Sequence, residues 1–376
     1  MKESANPTPS KIPVAILGAT GAVGQRFVAL LADHPWFEVA RLFASERSAG
    51  KTYSEAVSWV LDSPIPPALE NHLLESLDLG ALDGIELVFS ALGSEVAGPI
   101  ETSLADAGLL VFSNASSHRM AKDVPLVIPE VNPDHLALAS CQPRRSGGAI
   151  ITNPNCSTIG LVLSLAPLHN AFGIRRVSLV TNQALSGAGL ADGALLKLHD
   201  NVIPFIRGEE EKLAQETNKL LGELLLESAE DGTLDFQIEH ATFPVSATCI
   251  RVPVSDGHLL SVSVELDEPA THAEVTAAWR EFRGLPQDRQ LPTAPLNPLH
   301  VLEEEDAPQP AKHRDLEGGM AASVGRLRPD DFYGEHGDRR RGWKFVTLSH
   351  NTVRGAAGGS ILNAELWLEM ADEALE

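Results

Sequence analysis

An α/β fold with a parallel sheet in its first half is predicted by three features. Ile12 to Leu17 is a continuous apolar run, the pattern of a strand buried on both faces. A glycine turn, Gly18-Ala19-Thr20-Gly21-Ala22-Val23-Gly24, follows directly, and Gln25 to Ala32 then has helical character. Strand-like and helix-like stretches keep alternating up to about residue 150, the mark of βαβ units.

The 376 residues suffice for two domains with full cores. A net charge of −22 disfavours nucleic acid and anionic membranes as partners. It also means that an anionic ligand needs a local cluster of Arg and Lys. Cys141, Cys156 and Cys249 have no metal-like spacing, and an odd count argues against a disulfide framework, so no metal is expected. No apolar run is long enough to span a membrane. Residues 1–10 lack the apolar segment of a signal peptide and read as a short disordered lead, which places the chain in a reducing cytoplasm.

Strand, glycine turn and helix form the context of a dinucleotide-binding loop, here spaced G-x-x-G-x-x-G. Glycine lets the backbone approach a pyrophosphate, which the helix N-terminus then binds. The second strand spans Phe37 to Ala44. Its tip, Ser45-Glu46-Arg47-Ser48, offers Arg47 and two hydroxyls to a 2′-phosphate, which points to NADP, whereas Glu46 would suit NAD. Ile85 to Leu92 is a further strand whose small end residues, including Ser90, let a cofactor lie across it. Leu109 to Ser113 follows, then Asn114 to Met120, and Pro125 to Pro133 is extended.

The centre of the chain is Thr152-Asn153-Pro154-Asn155-Cys156-Ser157-Thr158. A short strand, Ala149 to Ile151, leads in, and an apolar helix, Ile159 to Leu168, leads out. Cys156 therefore sits in a first helical turn, where backbone N–H groups and the helix dipole are expected to lower a thiol pKa. Arg176 to Gln183 is the next strand and ends in Ala184 to Gly189. A helix is predicted from Glu209 to about Glu227, with Glu209 and Lys212 on one face. Thr248 to Pro253 and Leu259 to Leu266 read as strands paired around the turn Ser255-Asp256-Gly257-His258. Arg251 lies in an apolar strand, a costly place for a cation without an anion. Residues 286–342 are rich in Pro, Gly and charge and read in part as irregular loop, with last strands at Val324 to Arg328 and Phe345 to Ser349. Asn351 to Gly359 opens an amphipathic final helix, Ser360 to about Leu375, which packs back on the first domain.

These motifs, in this order, resemble aspartate-semialdehyde dehydrogenases of the archaeal and fungal type. The resemblance covers nearly the whole chain. It implies a Rossmann-like dinucleotide-binding domain over residues 11–152, completed by the C-terminal helix of 351–376. It implies an α+β catalytic and dimerisation domain over 153–350. It also implies Cys156 as nucleophile and His258 as general acid/base. Arg251, Glu209 and Gln183 bind and orient the substrate, and Arg119, Lys212 and Asn155 hold phosphate. NADP lies on Gly18, Thr20, Gly21, Ala22, Val23, Gly24, Ser45, Arg47, Ser48, Ser90, Ser186, Gly187 and Asn351. The implied reaction is reduction of 4-phospho-L-aspartate to L-aspartate 4-semialdehyde through a Cys156 thioester, in the route to lysine, threonine and methionine. A homodimer or homotetramer is implied as well. Two other readings remain open on this scaffold: a reductase of CoA thioesters of the malonyl-CoA type, and a non-catalytic NADP-binding sensor.

Overall fold

The computed structural model describes residues 11–142, 147–188, 200–228, 234–333 and 337–373, so the 1–10 lead and Gly189 lie outside it. The first sheet is built from β1 (Ile12–Leu17), β2 (Phe37–Phe43), β3 (Leu74–Glu75), β4 (Leu87–Ser90), β5 (Leu110–Ser113) and β6 (Ala149–Thr152). They run parallel in the order β3-β2-β1-β4-β5-β6. That is the doubly wound dinucleotide-binding order, and its switch point lies between β1 and β4, where ligands bind beyond the strand ends. Helices α1 (Ala22–Leu31) and α2 (Ser94–Asp106) belong to this half.

The second half opens with α3 (Cys156–Phe172), whose residues from Ser157 to Leu168 are all buried. Then come β7 (Ile174–Gln183), α4 (Glu209–Leu220), β8 (Glu223–Ser228), β9 (Leu234–Glu239), β10 (Val245–Arg251) and β11 (His258–Ala270). The chain continues through α5 (His272–Glu281), β12 (Leu299–Leu302), β13 (Ala322–Pro329), β14 (Arg340–Ser349) and α6 (Gly358–Glu373). The second sheet is mixed, in the order β10-β7-β11-β14-β13-β12. Its inner face and α3 share one apolar core, to which Leu161, Leu165, Val177, Leu179, Val262, Val264, Trp279 and Phe345 contribute. A second core joins the first sheet to Ile361, Leu362, Ala364 and Leu366 of α6.

Four expectations need correction. The helix begun at Glu209 stops at Leu220, and Glu223–Ser228 pairs with Leu234–Glu239 instead. Gly222 packs so tightly on this hairpin that a Cβ there would lie 2.5 Å from the Glu239 carbonyl oxygen, so tertiary contact overrides the helix preference of Glu223-Leu224-Leu225-Leu226. The strands on either side of Asp256-Gly257 do not pair with each other. β7 lies between them, parallel to β10 and antiparallel to β11, so the turn carries the chain across the end of β7. The final helix is not amphipathic in its first turns, because every residue from Gly358 to Leu366 is buried, several of them in the core of the first sheet. Finally, β12 adds a regular strand within the segment read as loop-rich.

Candidate active site

The end of the first sheet is shaped for an anion. Gly18 has φ +72°, and a Cβ there would lie 2.9 Å from the Ala91 carbonyl oxygen. A Cβ on Gly24 would come within 2.1 Å of the Gly18 oxygen. Glycine alone lets this loop fold onto the end of β4. Helix α1 starts at Ala22 rather than Gln25, its N-cap is Gly21, and no side chain caps it, so its N–H groups face outward for a ligand. Thr20, Ala22 and Val23 are half-buried along this cradle, and Ser90 is buried with no hydrogen-bond partner for its hydroxyl among the described residues. Ser45, Arg47 and Ser48 lie on the turn after β2, with Arg47 exposed.

The candidate catalytic side chains converge because the second sheet ends where α3 begins. Arg251 and Gln183 are register partners at the ends of β10 and β7. Leu259 faces Asn182, which places His258 level with Gln183, the last residue of β7. Ser349 pairs with His258 at the end of β14 and leads to Asn351. Cys156 is the first residue of α3, capped by Asn155, whose Oδ1 accepts the N–H groups of Ser157 and Thr158. Its sulfur lies 3.2 Å from His258 Nε2.

Two carboxylates, Glu209 and Glu216, and three cations, Arg119, Lys212 and Arg251, surround this pair. Glu209 Oε2 accepts from Asn155 Nδ2 at 2.8 Å and from Gln183 Nε2 at 3.3 Å, and Oε1 accepts from Lys212 Nζ at 3.0 Å. Burial opposes its charge, but Lys212 and these amides outweigh burial and hold the carboxyl below its ordinary value. Glu216 Oε1 accepts from Arg119 Nη1 at 3.0 Å, and Oε2 accepts the Asn155 backbone N–H at 2.6 Å. Arg119 Nη2 donates to the Asn114 carbonyl, while its Nε is buried with no partner among the described residues. Arg251 Nη1 donates to the Ala184 carbonyl at 2.6 Å. Gly187 lies against this group, since a Cβ on it would be 2.8 Å from Arg251 Nη1 and 3.0 Å from the His258 ring. Asn351 joins Ser186 Oγ at 2.8 Å to the Gly257 N–H, also at 2.8 Å.

The thiol contradicts the expectation of a lowered pKa. Cys156 keeps partial access to solvent, yet burial and the Glu209 charge push it up to about 12 against the pull of Arg119 and Arg251. Burial and the neighbouring Arg251 push His258 down to about 3, so both shifts disfavour a thiolate–imidazolium pair at this site.

Several residues of this site were not legible in the sequence. Glu216 is two helical turns from Glu209 on the same face, a spacing that marks it only in hindsight. Lys219 is buried and donates to the carbonyls of Arg119, Ala121 and Val124, which fixes the loop carrying Arg119. Asn153 joins Asn114 to the carbonyls of Gly355 and Ala356. Gly355 lies directly on Cys156, with room for no Cβ.

Among the described residues, no group of His, Cys, Asp and Glu is placed to hold a metal, and no helix is long and apolar enough to cross a membrane. A doubly wound dinucleotide-type sheet joined to a mixed-sheet domain with a Cys–His pair at the junction defines a two-domain oxidoreductase of the semialdehyde dehydrogenase class. Residues 13–139 match the semialdehyde dehydrogenase NAD-binding domain, and residues 165–354 match the semialdehyde dehydrogenase dimerisation domain. The chain belongs to the aspartate-semialdehyde dehydrogenase family. It is 48% identical over 357 residues to the aspartate-semialdehyde dehydrogenase of Methanothermobacter thermautotrophicus, covering 94% of this chain and 98% of that one. The Saccharomyces cerevisiae enzyme is 41% identical over 364 residues, covering 94% and 96%. The crystal structure of the Candida albicans enzyme with NADP superposes with a TM-score of 0.81 at 41% identity, over 95% of this chain and 98% of that chain. Enzyme II of Vibrio cholerae, complexed with ASA, gives 0.73 at 27% identity, over 96% and 99%.

Proposed function

We propose that this chain catalyses the NADP-dependent reductive dephosphorylation of 4-phospho-L-aspartate to L-aspartate 4-semialdehyde, the step that feeds lysine, threonine and methionine synthesis. The observation that carries the reading is Cys156 at a helix start, 3.2 Å from His258 and set among Arg251, Arg119 and Lys212. The sulfur attacks the acyl carbon, the carbon–oxygen bond to phosphate breaks, and a thioester forms on Cys156. The glycine loop of Gly18, Gly21 and Gly24, with Thr20, Ala22 and Val23, would hold the pyrophosphate of NADP. Ser45, Arg47 and Ser48 would hold its 2′-phosphate, and Ser90, Ser186, Gly187 and Asn351 would line the rest. When bound, NADPH supplies the hydride that reduces the acyl carbon. Arg251 pairs with the substrate carboxylate, and Glu209, oriented by Asn155 and Gln183, takes the ammonium end. Arg119 and Lys212, with Asn155, take the phosphate. The first domain is residues 11–152 completed by the C-terminal segment from 351, which includes α6, and the second, 153–350, carries the surface for a homodimer or homotetramer.

The test is NADP reduction by aspartate 4-semialdehyde with and without inorganic phosphate. Turnover should require phosphate, and arsenate should replace it and drive the reaction onward, because acyl arsenates hydrolyse. Arg119→Ala should raise the KM for phosphate more than that for semialdehyde, and Arg251→Ala should do the reverse. Each loss should be about tenfold to a hundredfold, as for a charged hydrogen bond. Turnover with CoA in place of phosphate would overturn the reading and favour the thioester reductase.

Arg47 gives an independent check on cofactor choice. Arg47→Ala should raise the KM for NADPH by about tenfold or more and leave NADH nearly unchanged, since only NADPH carries the 2′-phosphate. Equal losses for both cofactors would assign Arg47 to the turn itself.

A further inference from the structure

We propose that Glu216 is a positioning residue of the acyl-phosphate step: one carboxylate oxygen turns the Arg119 guanidinium so that its Nε edge is free for phosphate, and the other holds the peptide that precedes Cys156. The inference rests on the catalytic reading above and extends it to a side chain without a role in it. Glu216 Oε1 accepts from Arg119 Nη1 at 3.0 Å, and Arg119 Nη2 donates to the Asn114 carbonyl at 2.7 Å. Those two bonds fix the plane of the guanidinium, and its Nε–H is left buried with no partner among the described residues. Nε–H and the second hydrogen of Nη2 lie on one edge of the planar fork, a pair of donors that fits two phosphate oxygens.

Glu216 Oε2 accepts the Asn155 N–H at 2.6 Å. That N–H belongs to the Pro154–Asn155 peptide, one peptide before Cys156. Lys219, one turn on from Glu216 in α4, holds the backbone around Arg119. Its Nζ donates to the carbonyls of Arg119, Ala121 and Val124 at 2.8, 2.8 and 2.9 Å, which uses all three ammonium protons. Glu209, Lys212, Glu216 and Lys219 share one face of α4. That helix packs on α3 and on β10, the elements that carry Cys156 and Arg251. The nucleophile and the phosphate-binding cation thus hang on one regular element, which places groups more precisely than a loop does.

Charge alone does not account for this carboxylate. The Arg119 and Glu216 side chains are 8% and 2% exposed, and a buried ion pair adds little net stability over apolar residues of the same shape. A carboxylate beside a phosphate site repels the ligand. It also opposes a thiolate: burial first and then Glu209 push the Cys156 thiol up, and Glu216 adds to them. What Glu216 supplies is geometry, and a displacement of about 1 Å between reacting groups costs about 100-fold in rate.

Two substitutions separate geometry from charge. Glu216→Asp keeps the charge but is one methylene too short to meet Arg119 and Asn155 together. Glu216→Gln keeps the shape, loses the charge and sets an NH2 against one of the two donors. Glu216→Asp should weaken inorganic phosphate about tenfold, in calorimetric titration and as KM in NADP reduction by semialdehyde, with the KM for semialdehyde and for NADP within about twofold of wild type. Combined with Arg119→Ala it should weaken phosphate no further than Arg119→Ala alone, because it acts through that guanidinium. Glu216→Gln should lower kcat by about tenfold or more, although its Cys156 is alkylated by iodoacetamide faster than in the wild type, as followed site by site by mass spectrometry. Wild-type phosphate affinity in Glu216→Asp, or a wild-type or higher kcat in Glu216→Gln, would overturn the proposal. Equal losses for phosphate, semialdehyde and NADP would make Glu216 a general support of the fold and overturn it too. Should one variant fail to fold, the other decides. If the wild type turns over without phosphate, the catalytic reading falls, while the phosphate titration still decides what Glu216 does to Arg119.

Discussion

Cys156→Ala is expected to reduce turnover by about 10,000-fold or more, because removing a covalent nucleophile leaves only binding and electrostatic assistance. NADP affinity, followed by fluorescence titration, should stay within about twofold, because no cofactor contact proposed here involves the thiol. The side chain is small and keeps partial solvent access, so the fold should survive its loss. The contrast with Cys249 makes the result specific. Cys249 is fully buried in the core shared by the second sheet and α3, and its thiol is pushed up to about 11 by burial, so Cys249→Ala should cost about 1–2 kcal/mol of stability and leave kcat near wild type. Residual turnover of Cys156→Ala above about one percent would refute covalent catalysis.

The second large effect concerns stability. Glu130, in a turn between β5 and β6, and Arg354, beside α3, form a buried bidentate pair with side-chain exposures of 0% and 1%. Arg354 Nη1 donates to Oε1 at 2.8 Å and Nη2 donates to Oε2. Glu130→Ala should destabilise the protein by about 3–5 kcal/mol, because it strands a guanidinium in an apolar surround. Replacing both residues by apolar ones of matching volume should cost far less, since no charge is then left buried. Urea unfolding of the single and double variants measures the difference. A double variant as unstable as Glu130→Ala would mean that the pair contributes through shape and not through charge. Arg354 lies in a turn that sets Gly355 on Cys156, so Glu130→Ala should also lower kcat before it unfolds the chain.

Much of the first half can be read from sequence because its signals are local. The apolar run of β1, the glycine turn and the α1 helix each declare themselves within a few residues, and buried parallel strands are apolar on both faces. The position of Cys156 at a helix start is local in the same sense, since Asn155 caps the helix through its own neighbours. The helix predicted over 209–227 fails for a complementary reason. Glu223-Leu224-Leu225-Leu226-Glu227 suits helix and strand alike, and the choice is made by β9 and by the close approach at Gly222.

The thiol was misjudged for lack of its surroundings. A helix N-terminus lowers a thiol pKa when the sulfur is solvated beside it, but here burial and Glu209 act in the opposite direction and win. Glu209 stands 53 positions further along the chain, and Glu216, which holds both Arg119 and the Asn155 amide, is 97 from the first and 61 from the second. No sequence window contains those pairs.

By itself the sequence determined the dinucleotide-type sheet, the glycine cradle and the place of Cys156 at a helix start, because each is encoded in propensity and periodicity over short spans. Only the tertiary structure decided that β7 separates β10 from β11, that Arg119 and Lys212 are already paired to Glu216 and Glu209, and that the Ala184 N–H meets the His258 ring. The Glu130–Arg354 pair, 224 positions apart, belongs to the same group. Each of these is a directional contact between distant segments. Its existence depends on where the packed sheets bring two backbones within hydrogen-bond reach, a condition set by the whole fold and by no local run of residues.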